Sequence, residues 1–110
     1  MKESESMQII ACEDVYSVEE IKKRLEPVFR ARHIRKAILF GSYAQNQADR
    51  KSDVDILVDS GLRGLKFFGL VADMQAALEK EADVLDIHYV KENSPVDEEI
   101  ARTGVTIYER

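Results

Sequence analysis

The sequence predicts a small α/β (α+β) domain, a mixed β-sheet flanked by helices, and three observations predict it. Short apolar runs bounded by turn residues alternate with longer stretches whose apolar residues recur every three to four positions. The chain has 110 residues, enough for one core and too few for two domains. Apolar residues make up 45% and charged residues 34%, the balance of a globular chain and not of a disordered one.

The elements follow in the order α-β-α-β-α-β-α-β. Residues 1–16 read as an N-terminal leader, polar and acid-rich, ahead of a single domain over 17–110. Ser17 and Glu20 form a capping-box pattern, after which Val18, Ile21, Leu25, Val28 and Phe29 recur at helical spacing. Pro27 lies inside this pattern and predicts a kink or break, and the helix gives out near His33, placed to cap it. Ala37–Phe40 is a buried strand stopped by Gly41, and Ser42 opens a short helix-like stretch, SYAQNQA. Val54, Ile56 and Val58 alternate with Asp53, Asp55, Leu57 and Asp59, which predicts a half-buried strand with one acidic face.

A glycine-bearing turn over 60–64 leads into a second long helix over roughly 65–81. Leu65 and Phe68 fall off its best apolar face and either belong to a partner surface or are buried by the turn before them. Val84–Val90 reads as a third strand, with Asp86 and His88 on one face. Ser94-Pro95 starts a last helix to about Arg102, and Gly104 ends it before a final strand over Val105–Tyr108.

Composition narrows the functional classes. The net charge of −5 lacks the basic footprint of direct nucleic-acid binding, although a nucleotide held through a cation stays open. Cys12 is the single cysteine, so an internal disulfide is excluded and a reducing, cytoplasmic setting is expected. No stretch approaches the run of about 18 apolar residues that a membrane span requires.

The chemistry concentrates in FGSYAQNQADRKSDVDILV, residues 40–58. Gly41 allows a tight turn or close approach of a ligand, and the amides after it, with the Ser42 hydroxyl, suit a phosphate. A Walker lysine is absent, so a metal must offset the phosphate charge. Asp53 and Asp55, two apart on a strand, share a face and repel each other, which a chain tolerates cheaply at a surface or profitably around a divalent cation. Asp86, an acid in an otherwise apolar strand, is the third candidate ligand if its strand lies beside the first pair. Tyr43 is a packing residue or a base-stacking one, and Arg50 and Lys51 are solvated or reach a phosphate tail.

Gly41-Ser42, ten residues, then Asp53-Val54-Asp55 with a later strand aspartate resembles the nucleotidyltransferase superfamily related to DNA polymerase beta. AILFGSYA, SDVDILV and the ending EEIARTGVTIYER resemble its minimal nucleotidyltransferases, the MNT proteins, over residues 17–110. The resemblance implies Gly41 and Ser42 on the triphosphate of ATP, and Asp53, Asp55 and Asp86 on two Mg²⁺ ions, with Asp86 as general base. It also implies transfer of AMP to a hydroxyl, with a tyrosine of a HEPN-domain ribonuclease toxin as acceptor and an antitoxin role. Two alternatives stand beside it: neutralisation of the toxin by contact alone, and a small-molecule nucleotidyltransferase that works with a separate helical subunit. Gln45-Asn46 departs from the Arg-Gly usual in the family; Asn46 can supply the left-handed turn, whereas Gln45 lacks the charge.

Overall fold

In a computed structural model the chain is described over residues 15–110. The expected leader therefore lies largely outside the described residues. Its last residue does not: Tyr16 is buried in the core, and its hydroxyl donates to the Leu78 carbonyl at 2.6 Å.

Helix α1 (Val18–Ala31) opens with the expected capping box. The Ser17 hydroxyl accepts from the Glu20 amide, and the Glu20 carboxylate accepts from the Ser17 amide. Pro27 does not interrupt the helix, which runs through it to Ala31. The end is a Schellman motif. His33 takes the left-handed conformation (φ 56°), its amide donates to Arg30, and the Ile34 amide reaches back to Phe29. The buried Ile34 side chain then leads the chain into β1.

Strands β1 (Lys36–Phe40), β2 (Val54–Asp59), β3 (Ala82–Asp86) and β4 (Val105–Glu109) form one mixed sheet in the order β3-β2-β1-β4. β1 pairs antiparallel with β2 and β4, and β2 pairs parallel with β3 through helix α2 (Leu65–Leu78). Ala37, Leu39, Val54, Ile56, Val58, Ala82 and Ile107 turn to one face, where they pack with Ile21, Leu25 and Phe29 of α1 and Leu70, Met74 and Leu78 of α2. Helix α3 (Pro95–Thr103) lies on the second face, against β1. Mixed pairing and helices on both sides of one sheet bear out the predicted fold class.

Three expectations need correction. SYAQNQA is a single hydrogen-bonded turn, not a helix, so among the described residues three α-helices and not four flank the sheet. Asn46 ends it after one turn: in the left-handed region (φ 59°), its amide donates to Tyr43 while the Gln47 amide donates to Ser42, a second Schellman closure. α2 stops at Leu78, before Lys80 and Glu81, because Glu79 is left-handed (φ 56°). The third strand covers Ala82–Asp86 and not Val84–Val90, because the Asp86 carboxylate caps a 3₁₀ turn over Ile87–Tyr89. Leu65 and Phe68 are exposed, so the preceding turn does not bury them.

Candidate active site

The loop over 41–53 joins two antiparallel strands, so the end of β1 and the start of β2 meet at one edge of the sheet. Parallel pairing brings the start of β3 to the same edge. Phe40 is level with Asp55, and Asp55 is level with Asp83. Paired residues on neighbouring strands point to the same face. Phe40, Asp55 and Asp83 thus form a row across three strands on the face that α3 partly covers.

Gly41 and Asp55 are fitted to each other. A Cβ built on Gly41 would lie 2.5 Å from Asp55 Oδ2, and Gly41 has φ +76°. Any side chain there would displace the carboxylate and strain the backbone. The Gly41 amide donates at 3.0 Å to the buried Thr103 hydroxyl, which donates in turn to the Glu99 carbonyl at 2.9 Å. Gly41 therefore contributes space, and its N–H is committed to α3. The amides of residues 42–44 and the Ser42 hydroxyl have no hydrogen-bond acceptor or partner among the described residues, so phosphate-binding capacity begins at Ser42.

Asp53 is exposed, one residue before β2. The segment before it is tied down by Asp49. Its Oδ1 accepts from the Lys51 amide at 2.9 Å and from the Ser52 hydroxyl at 3.3 Å, and these bonds lower its pKa. Asp55 is half-buried, and its carboxyl is pushed up to about 6 by burial first, then by the charges of Asp83, Glu99 and Asp53. A cleft of about 320 Å³ opens over it, lined by Phe40, Asp55, Asp83, Leu85, Val96 and Glu99 among others, and none of its lining side chains is basic.

Asp86 does not join this cluster. It is level with Val58, not with Asp55, and is three residues from Asp83. An odd offset along a strand turns a side chain to the opposite face, and three residues span about 10 Å. Asp86 is buried at the other end of β2, where its carboxylate accepts from the Ser60 hydroxyl, the Ser60 amide (3.3 Å) and the His88 amide (3.0 Å), and contacts His88 Nδ1 (3.0 Å). Burial alone would raise its pKa; the bonds from Ser60 and His88 outweigh that and lower it. The expected third ligand is therefore a structural carboxylate, and Asp83 stands in the place assigned to it. The signal for Asp83 was present in the sequence: it precedes the apolar pair Val84-Leu85 as Asp55 precedes Ile56-Leu57. His88 belongs to the 3₁₀ turn and not to a strand face near the site.

Tyr43 is a core residue. Burial first, then Tyr16, Asp49 and Asp53, raise its pKa, and its hydroxyl finds no hydrogen-bond partner among the described residues. Gln45, where the family usually has arginine, places its amide 3.4 Å from the Gly41 carbonyl.

The residues present fit a divalent cation. Asp55 occupies room that only glycine leaves, and Asp83, Glu99 and Asp53 add to the cost of its charge, with no basic side chain in the lining of the cleft. Among the described residues no three His, Cys, Asp or Glu side chains are gathered tightly enough to ligate one ion by themselves. One or two carboxylates with water and phosphate oxygens is the usual shell of Mg²⁺.

A glycine-serine turn facing a row of strand carboxylates at one sheet edge defines a nucleotidyltransferase. The profile of the family "Polymerase beta, Nucleotidyltransferase" matches residues 19–110, and the chain belongs to that family. It is 38% identical over 72 residues to a Methanocaldococcus jannaschii protein named "Putative protein adenylyltransferase MJ0435", spanning 63% of this chain and 76% of that one. Its fold is similar to a chain of a toxin–antitoxin crystal structure with AMP-PNP (TM-score 0.69, 22% identity, 81% of this chain and 73% of that one). It is also similar to a chain in the complex of tri-AMPylated Shewanella oneidensis HEPN toxin with MNT antitoxin (TM-score 0.64, 18% identity, 84% and 73%).

Proposed function

We propose that this nucleotidyltransferase is a protein adenylyltransferase that acts as an antitoxin, moving AMP from ATP to a tyrosine hydroxyl of a HEPN ribonuclease toxin. The observation that carries the reading is the row Phe40–Asp55–Asp83, with Gly41 kept bare beside it. The relative named an adenylyltransferase and the toxin–antitoxin folds support the donor and the partner.

Ser42 and the amides of residues 42–44 bind the β- and γ-phosphates. Asp53, Asp55 and Asp83 hold Mg²⁺, which when bound offsets phosphate charge and orients the α-phosphate. The acceptor oxygen forms a bond to the α-phosphorus, the bond from that phosphorus to the bridging oxygen breaks, and pyrophosphate leaves. The hydroxyl proton passes to Asp83, the carboxylate farthest along the row from the leaving group.

Titration of ATP into the wild type with and without Mg²⁺, and into Asp53→Ala and Asp55→Asn, tests the site. Binding is expected with Mg²⁺ in the wild type and at least 10-fold weaker in either variant; equal binding throughout would reject it. Intact mass of a co-expressed HEPN-domain partner tests the reaction. AMP increments should appear with the wild type and be absent with Asp55→Asn, whereas an unmodified but neutralised partner would reject catalysis in favour of contact alone.

A further inference from the structure

Tyr43 carries a hydroxyl that the rest of the fold leaves unused. Its ring is packed in the core, 2% exposed, and the hydroxyl oxygen is buried with no hydrogen-bond partner among the described residues. A buried hydroxyl without a partner gives up its water and gains nothing in exchange, a cost that a phenylalanine in the same space would not carry. An unpaired buried donor is uncommon in a native fold, and a functional role is one reason for a chain to keep it.

The hydroxyl itself is held in place. The Ser42 carbonyl accepts from the Gln45 and Gln47 amides at 3.2 and 2.9 Å, and the Tyr43 carbonyl accepts from the Asn46 amide at 3.4 Å, so the turn is closed on both sides of the ring. After burial itself, Tyr16, Asp49 and Asp53 raise the Tyr43 pKa, so these are the ionisable groups whose charges reach it. Two of the three are engaged. The Tyr16 hydroxyl donates to the Leu78 carbonyl at 2.6 Å, and the Asp49 carboxylate accepts from the Lys51 amide and the Ser52 hydroxyl. Asp53 is exposed, and its carboxylate has no hydrogen-bond partner among the described residues, so it is the member of the three that can change rotamer without breaking a bond.

We infer that Tyr43 is a positioning residue for the metal side of the site, its hydroxyl donating to the Asp53 carboxylate once Mg²⁺ and nucleotide are bound. This rests on the proposed reading of Asp53 as a metal ligand and adds what orients it. A carboxylate that gives one oxygen to a metal is held in direction by a donor on the other, and loss of such a donor weakens the metal. Asp55 is already confined by half-burial and by the bare Gly41 beside it. Asp53, one residue before β2, has no such confinement, and a rigid phenol would select one of its rotamers.

The test compares the full-length wild type with Tyr43→Phe, Asp53→Ala and the double variant. Denaturant unfolding in EDTA reads the metal-free protein, where Tyr43→Phe should unfold at no lower denaturant concentration than the wild type, because it loses no bond. A lower midpoint, or a failure to fold, would show that the hydroxyl already has a partner there and would overturn the inference. Mg²⁺ titrated at fixed AMP-PNP, followed by thermal shift, reads the loaded protein. The Mg²⁺ midpoint should rise about 10-fold in Tyr43→Phe. Added to Asp53→Ala, the same substitution should change the midpoint by less than about twofold, because the hydroxyl acts through that carboxylate. An unchanged midpoint in Tyr43→Phe, or an equal effect with and without the Asp53 carboxylate, would overturn the inference. AMP-PNP binding that is independent of Mg²⁺ would reject the metal reading and the inference with it, and that outcome shows in the wild type alone, before any variant is compared.

Discussion

At the scale of single residues, two aspartates three positions apart face opposite sides of the sheet, and the proposed function gives only Asp83 a part in the chemistry. Asp83 faces the cleft beside Asp55, and Asp86 faces Ser60 and His88 at the other end of the strand pair. Asp83→Asn should abolish adenylyl transfer with little change in denaturant midpoint. Asp86→Ala should do the reverse. It leaves the Ser60 hydroxyl and the His88 amide without their acceptor, which costs about 1–3 kcal/mol, while transfer per folded molecule stays near wild type. Urea titration beside a transfer assay reads both. Loss of transfer in Asp86→Ala at full stability would return the catalytic role to Asp86.

At the scale of elements, α3 locks the turn at Gly41. Its last residue, Thr103, takes the Gly41 amide, and Gly104 then packs closely enough on α3 that a Cβ would lie 2.5 Å from the Ile100 carbonyl oxygen. Thr103→Val keeps the shape and removes the acceptor, leaving a buried N–H unpaired at a cost of about 1–3 kcal/mol. Gly41 is then free to shift against Asp55, so kcat is expected to fall by more than the loss of folded protein explains. An unchanged kcat with only a lower Tm would show that the clamp serves stability alone. The strand and turn boundaries carry the same lesson. Asn46, Glu79 and His33 each stop an element in the left-handed conformation, and Glu79 belongs to a residue type that gives no sign of it.

At the scale of the whole molecule, the carboxylate edge sets how stability follows pH. The Asp55 carboxyl rises from its ordinary 3.8 to about 6 on folding. Between those values the folded chain binds more protons than the unfolded one, so stability falls as pH increases across that window. In EDTA, denaturant unfolding should show this slope in the wild type and lose it in Asp55→Asn, which is expected to be the more stable protein at pH 7. Addition of Mg²⁺ with AMP-PNP should reverse the ranking. Ligand at 100 times its Kd stabilises the wild type by about 2.7 kcal/mol and the variant by much less. Equal thermal shifts for the two proteins would reject Asp55 as part of the ligand site. Among the described residues no helix is long and apolar enough to cross a membrane.

The sequence by itself determined what is local. The capping box at Ser17 and Glu20, the alternation of β2, the bare glycine before Ser42 and the acid pair at 53 and 55 are each encoded within a few neighbouring residues. It also determined the family, through motifs that lie within one loop and one strand. Tertiary structure alone decided which third carboxylate joins the pair. That choice depends on the register between β2 and β3, two strands separated by a helix, and a strand's side chains change face with every residue. Both Asp83 and Asp86 sit among apolar neighbours, and the one local difference, an apolar pair after Asp83 as after Asp55, hints at the choice without making it; pairing Asp55 with Asp83 makes it. Thr103 reached the site in the same way, from 62 residues along the chain, because α3 crosses the second face of the sheet above β1.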